Sequence, residues 1–266
     1  MADVAAWLSP YRAVLASRMR AQRAYRLSFA ADLASSTLVS VVEFAEVWVV
    51  FHSVTLLGGL DLGAMLLLFG LANTAFATAG VLVGHLDTVN TYVRLGTLDA
   101  FYLRPQPVLL QLVVSDVSLR KLSRALVGAV VLGVGLVVND IDWSPANLAL
   151  LVISFGSGVA IFTGIYVWAA ALQFFLLDGA EMTNSFTYGG SYAAQQPTAV
   201  FPDSMRLVYG FILPVASVGY LPTIALLDKP GPTWLAWLGP VAALWVWLVG
   251  LWLWRQGLRH YQSGGG

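Results

Sequence analysis

Residues 84–107 read GHLDTVNTYVRLGTLDAFYLRPQP. The stretch is polar and amphipathic, and it lies between two long apolar runs. Leu86, Val89, Val93 and Leu95 alternate with Asp87, Asn90, Thr91 and Arg94 at helical spacing. A turn at Gly96 follows, then Leu98, Asp99, Phe101, Tyr102, Leu103 and Arg104, ended by Pro105 and Pro107. A short helix with apolar knobs and a few charges, held at a membrane exit, suits a rigid docking element. Knobs fill a partner's groove and charges set the register. The plainer reading is an amphipathic loop lying on the headgroups.

The chain around it is built for lipid. Of its 266 residues 58% are hydrophobic and 11% charged, with a mean hydropathy of +0.76, whereas a soluble domain carries about a quarter charged residues. This is the composition of an all-α polytopic integral membrane protein, expected to form a single transmembrane domain over residues 1–266. The zero net charge and the clustering of Lys and Arg in a few loops give no reason to expect nucleic acid. The absence of Cys removes disulfides and Cys-ligated metals.

A span takes about 20 mostly apolar residues. Six stretches qualify: Leu33–Leu57, Leu62–Val83, Leu122–Val138, Ala146–Leu172, Leu207–Leu227 and Trp234–Trp254. They predict a six-helix bundle over 33–263. Residues 1–32 carry Arg12, Arg18, Arg20, Arg23 and Arg26 between apolar residues, a pattern that suits an N-terminal interfacial amphipathic helix. An Arg-bearing segment of that length does not suit a cleavable signal peptide. With the N-terminus in the cytoplasm, thirteen Lys and Arg residues fall inside and only Lys229 outside. The positive-inside rule then places both termini in the cytoplasm. The loop 177–206 is expected on the same side. Trp48, Trp143, Trp168, Trp234 and Trp254 fall near predicted span ends, where interfacial anchors belong.

No catalytic constellation is visible. The lysines are Lys121 and Lys229, and neither follows a glycine, so the chain has no phosphate-cradling loop. His52, His85 and His260 are scattered, which gives no metal site. Glu43 and Glu46 lie three apart and share a face of the first span. A carboxylate there is costly and turns toward a bundle interior or a wet cavity. The pair suggests a substrate path or cation-recognition site, or else an internally paired packing element. Asn73, Thr74 and Thr78 on the second span are candidate partners. Pro214 interrupts the fifth predicted span and is a kink or hinge candidate. The run Gly156-Ser157-Gly158, with Gly164, suggests close helix packing.

The segment 96–105, GTLDAFYLRP, resembles the Gly-x-Leu-Asp-x-x-Leu-x-Arg-Pro pattern of a bacterial branch of ABC-2-type transporter permeases. Phe201-Pro202-Asp203, Ile212-Leu213-Pro214-Val215-Ala216 and Tyr220-Leu221-Pro222 resemble its second signature, and Ala24-Tyr25-Arg26 also fits. The resemblance implies an ABC-2-type exporter fold in a bacterial plasma (inner) membrane. It implies a non-catalytic permease subunit that forms the pathway for a small amphipathic or lipophilic molecule. Its expected partners are a second permease chain, identical or homologous, membrane lipid, and two copies of a separate ATPase subunit that carries the ATP and Mg; this chain itself binds no cofactor. Leu98, Asp99, Phe101 and Arg104 would lie in or beside the ATPase-docking coupling helix near 84–107. Two other readings stay open: a proton-coupled secondary transporter using Glu43 or Glu46, and a non-transporting scaffold.

Overall fold

Asp61 starts the helix around which the others pack. Its carboxylate accepts from the Ala64 N–H at 2.9 Å and caps the first turn. The helix that follows is apolar on every side, so it can only be stable as an interior element. A computed structural model describes residues 26–115, 121–176 and 180–261. In it this helix, α2 (Leu62–Val83), buries 17 of its 22 residues. Before it comes α1 (Arg26–Ser53). After it a 3-10 turn (Gly84–Thr88) leads into α3 (Val89–Arg94), α4 (Asp99–Tyr102) and α5 (Val108–Ser115). Then follow α6 (Lys121–Val138), α7 (Pro145–Leu172) and α8 (Ala180–Ala194). The chain ends with α9 (Asp203–Leu207), α10 (Tyr220–Leu226) and α11 (Gly239–His260). Among the described residues there is no strand.

Glycine decides how closely the main helices approach. A Cβ on Gly135 of α6 would sit 2.6 Å from the Leu67 nitrogen, and one on Gly128 would sit 2.8 Å from the Thr74 hydroxyl. The backbones of α2 and α6 therefore touch. The same device joins α7 to α11. A Cβ on Gly164 would meet Val246 Cγ1 at 2.7 Å, and one on Gly250 would meet Trp168 Cδ1 at 2.7 Å. Of the glycine run in α7, Gly158 packs on Val218 and Ala75, whereas Gly156 faces open space. Trp168 and Trp254 are buried rather than interfacial, and the Trp168 indole donates to the Val246 carbonyl at 2.6 Å. Trp48, Trp143 and Trp234 are exposed.

Four helical runs among the described residues are long and apolar enough to cross a bilayer; the bent pair Asp203–Ile212 and Val215–Leu226 makes a fifth only if it is one span. The expected spans at 62–83, 122–138 and 146–172 fall on α2, α6 and α7. The expected interfacial helix over 1–32 lies outside the described residues as far as residue 25, and α1 begins at Arg26.

The expected fifth span, Leu207–Leu227, is corrected. The segment is bent by 70° at its break, and both of its ends lie at one end of the bundle. At its start, Arg206 donates to the Thr198 and Ala199 carbonyls at 3.1 and 3.0 Å, and Ala199 packs beside Gly58 in the α1–α2 turn. At its finish, Lys229 pairs with Asp61 at 3.7 Å in the same turn. Between them Val218 reaches Gly158 and Ala75, well along α7 and α2. The segment therefore enters the bundle and returns. The element that packs along α2 toward the Gly58 end is α8, inside the expected loop 177–206. The sequence numbers of its contacts on α2 fall as its own rise: Tyr188 meets Phe76 at 5.7 Å, Gln195 shares a cavity with Met65 and Phe69, and Pro197 reaches Gly58. The loop assignment moves with it, and Arg206 joins Lys229 at the Gly58 end.

Pro214 consequently sits at the vertex of the returning segment and not in a kinked through-going helix. A π turn, with Leu213 N–H donating to the Val208 carbonyl at 2.7 Å, precedes it, and a 3-10 turn over Val215–Ser217 follows. Its missing N–H and fixed φ suit the place where the ladder has already stopped.

Candidate functional site

The end of the bundle opposite Gly58 is capped by residues 84–112. Their inner row is locked. Leu86, Val89, Leu98 and Leu112 are fully buried in the core that also holds Ala171, Phe174 and Trp254. Gly96 makes the turn between α3 and α4 at φ +66°, a left-handed conformation that glycine adopts without a Cβ clash. Polar side chains then tie the cap to three helices. Gln173, just past α7, accepts from the Asn90 N–H at 2.6 Å and donates to the Leu86 carbonyl at 3.3 Å. Lys121 at the start of α6 pairs with Asp87 at 3.2 Å and donates to the Tyr166 hydroxyl at 3.2 Å. The Lys121 side chain lies in a channel made by Gly80 and Gly84, where any Cβ would collide with it. Tyr261, after α11, donates to Asp99 Oδ1 at 3.0 Å and stacks on Tyr102 at 6.2 Å. Burial first, and then the Asp99 carboxylate, raise the pKa of both Tyr261 and Tyr102.

The outer row is free of the core. Leu103 is 89% exposed and Leu95 70% exposed, with Tyr102, Arg94 and Arg104 also at the surface. The four residues singled out for docking therefore separate. Arg104 is exposed and its guanidinium lies 5.9 Å from the Phe101 ring. Phe101 is half-buried, packed edge-on against Tyr92 at 5.5 Å. Asp99 is half-buried and spoken for by Tyr261. Leu98 faces inward completely, so a partner cannot touch it; the reason is the Gly96 turn, which rotates the following residues by more than the helical period suggests. Leu95 and Leu103 carry the exposed apolar surface of the segment.

The intramembrane polar candidates also separate. Asn73 is buried between α2 and α6, where its Oδ1 accepts from Arg124 Nε at 2.9 Å. Thr74 and Thr78 return their hydroxyls to the Gly70 and Thr74 carbonyls of their own helix. None of the three pairs with Glu46. The side chain of Glu43 lies outside the described ones. Glu46 borders a cavity of about 140 Å³ between α1, α2 and the end of α8, together with Gln195, Gln196, Tyr192, Phe51 and Phe69. The sequence singles out Glu46 but does not show that Tyr192, Gln195 and Gln196 share its cavity, because they fall in the stretch 177–206 that it presents as a loop. A larger apolar cleft, about 380 Å³, lies between the returning segment and α11, with Arg206 at its rim. Among the described residues there is no group of His, Asp and Glu side chains able to hold a metal.

The long apolar helices and the capped end define an all-α, membrane-embedded protein. Residues 37–265 match the sequence model of the family described as ABC-2 family transporter protein, and the chain belongs to that family. Neither a curated protein nor a solved structure matches it.

Proposed function

We propose that the chain is the permease subunit of an ATP-driven ABC exporter, with a separate ATPase docked on residues 84–107. The observation that carries this is the division of that segment into a locked inner row and an exposed outer row. A force applied at Leu95, Leu103 or Arg104 passes through Leu98, Gln173, Lys121 and Tyr261 into α2, α6, α7 and α11. Such rigid connection is what conversion of ATPase closure into helix movement requires. In this reading α1, α2, α6, α7, α8 and α11 are the six spans, and Asp203–Leu226 re-enters from the far side. With only Arg206 and Lys229 of the 14 Lys and Arg assigned to the Gly58 end, the positive-inside rule supports a cytoplasmic 84–107 end and cytoplasmic termini. Two permease chains enclose a path for a small amphipathic or lipophilic molecule.

The chain has no Cys, so single cysteines at Leu95 and Leu103, with Trp143 at the opposite end as control, can be cross-linked in native membranes. Capture of an ATPase subunit at the first two sites and not at Trp143 is expected. Efficient labelling without ATPase at either site refutes the docking assignment. A second reading, proton-coupled transport, draws on the Glu46 carboxylate at its cavity. It requires transport by the chain alone that stops when the proton gradient is dissipated and in Glu46→Gln.

A further inference from the structure

The Glu46 cavity has the chemistry of a receptor for one kind of ligand. Its lining combines a carboxylate, two amides and aromatic rings. Among the described residues no Lys, Arg or His pairs with Glu46. Gln195 is buried, and its amide nitrogen donates to the Ser191 hydroxyl at 3.1 Å, which leaves its carbonyl oxygen to accept. Phe51, Phe69 and Tyr192 add ring faces and edges. A carboxylate, a carbonyl acceptor and aromatic rings together favour a cation, through charge-assisted hydrogen bonds and cation–π attraction. An anion is repelled by Glu46. A purely apolar ligand leaves the buried Gln195 carbonyl without a partner, which is unfavourable.

Size and access narrow the class further. A cavity of about 150 Å³ holds a benzene-sized molecule, so about 140 Å³ admits an ammonium group with its first few methylenes and no more. Glu46, Val50 and Tyr192 are exposed at the rim, on the lateral surface between α1 and α8. A longer apolar tail can therefore remain in the lipid while its head enters.

We propose that this cavity binds the protonated head of a lipophilic amine. The site lies toward the Gly58 end, away from the docking segment. The inference rests on the permease reading only for the amine's fate as exported cargo; binding itself does not depend on it.

The test titrates octylamine into the full chain in lipid nanodiscs by calorimetry, with empty nanodiscs subtracted and with octanol and octanoate as controls. Saturable octylamine binding is expected, weakened about tenfold or more in Glu46→Gln by loss of the charge-assisted contact. Octanol should not discriminate between wild type and Glu46→Gln, and octanoate should bind wild type no more tightly than Glu46→Gln. Gln196→Leu, at a half-buried position on the same cavity, should weaken octylamine severalfold and serves if Glu46→Gln does not fold. No saturable octylamine binding to wild type overturns the proposal, as does equal binding in the folded variants. The cross-linking at Leu103 is run on the same strains. Amine binding without ATPase capture keeps the site and removes the permease reading. ATPase capture without amine binding does the reverse.

Discussion

Leu98 and Leu103 stand five residues apart in the same short segment, and the structure gives them opposite roles. Leu98 has no exposed surface, and Leu103 is 89% exposed. Leu98→Ala removes three buried carbons. At about 0.8 kcal/mol each they represent about 2.4 kcal/mol of lost transfer energy, and the cavity left behind raises the total to about 3–5 kcal/mol. At roughly 2–4 °C per kcal/mol, a loss of about 3 kcal/mol lowers the unfolding midpoint by roughly 6–12 °C. Leu103→Ala removes as many carbons from a side chain that touches little, and stability should change by less than about 0.5 kcal/mol. Capture of the ATPase should show the opposite order. Loss of an exposed anchor from an interface typically weakens binding by about 1–2 kcal/mol or more, roughly five- to thirtyfold. Thermal unfolding followed by tryptophan fluorescence, together with pull-down of the ATPase from detergent extracts, measures both. A Leu98→Ala protein with an unchanged midpoint and no ATPase capture would refute the division into anchor and knob.

Three further outcomes are expected. A cysteine at Asp203, whose side chain is 97% exposed, should react with a membrane-impermeant maleimide from the same side as one at Trp143 and from the side opposite one at Leu103; labelling from the Leu103 side restores a through-going fifth span. Gly135→Ala forces a Cβ to within 2.6 Å of Leu67 and should cost about 1–3 kcal/mol in thermal unfolding, whereas Gly133→Ala, with nothing within 4 Å, should be neutral or stabilising by up to about 1 kcal/mol. Because the pKa values of Tyr102 and Tyr261 are raised, the folded state holds their protons more tightly than the unfolded one, so their contribution is intact below about pH 10 and disappears as the pH rises through the raised values; a tyrosinate absorbance titration should show a delayed component that moves down in Asp99→Asn.

Helices that are apolar all round announced themselves by composition. The sequence boundaries of α2, α6 and α7 agree with the structure because turn formers such as Asp61, Asn139 and Pro145 sit at their ends, and each acts there. The Asn139 amide, for instance, donates to the Gly63 and Gly135 carbonyls at 2.7 and 2.6 Å, closing the α6 end on the α2 start. Residues 84–107 were legible as a segment, from their polarity between two apolar runs. Which of its residues point outward was not. A single left-handed glycine changes the phase of everything after it, and a helical wheel drawn through Gly96 carries that error onto Leu98.

The harder failure concerns α8 and the segment after it. Hydropathy measures whether a stretch tolerates an apolar environment, not whether it crosses one. Residues 213–226 are apolar because most of them are buried against α2 and α7, whereas Leu207, Phe211 and Ile212 are exposed, and the segment doubles back at Pro214. Residues 180–194, AEMTNSFTYGGSYAA, are too polar on average to be recognised as a span, yet they pack along α2 from Phe76 toward the Gly58 end. Their small and hydroxylated side chains fit that position. Thr187 and Ser191 are buried, with Thr187 donating to the Asn184 carbonyl of its own helix and Ser191 accepting from Gln195. A helix sheltered by α2 and α7 needs little lipid-facing surface, so it can carry polar residues that a peripheral span cannot. That tolerance is also what brings Gln195, Gln196 and Tyr192 opposite Glu46. The polarity that hid the helix from hydropathy is the polarity that lines the Glu46 cavity, and a reading that makes 177–206 a loop leaves Glu46 with nothing across from it.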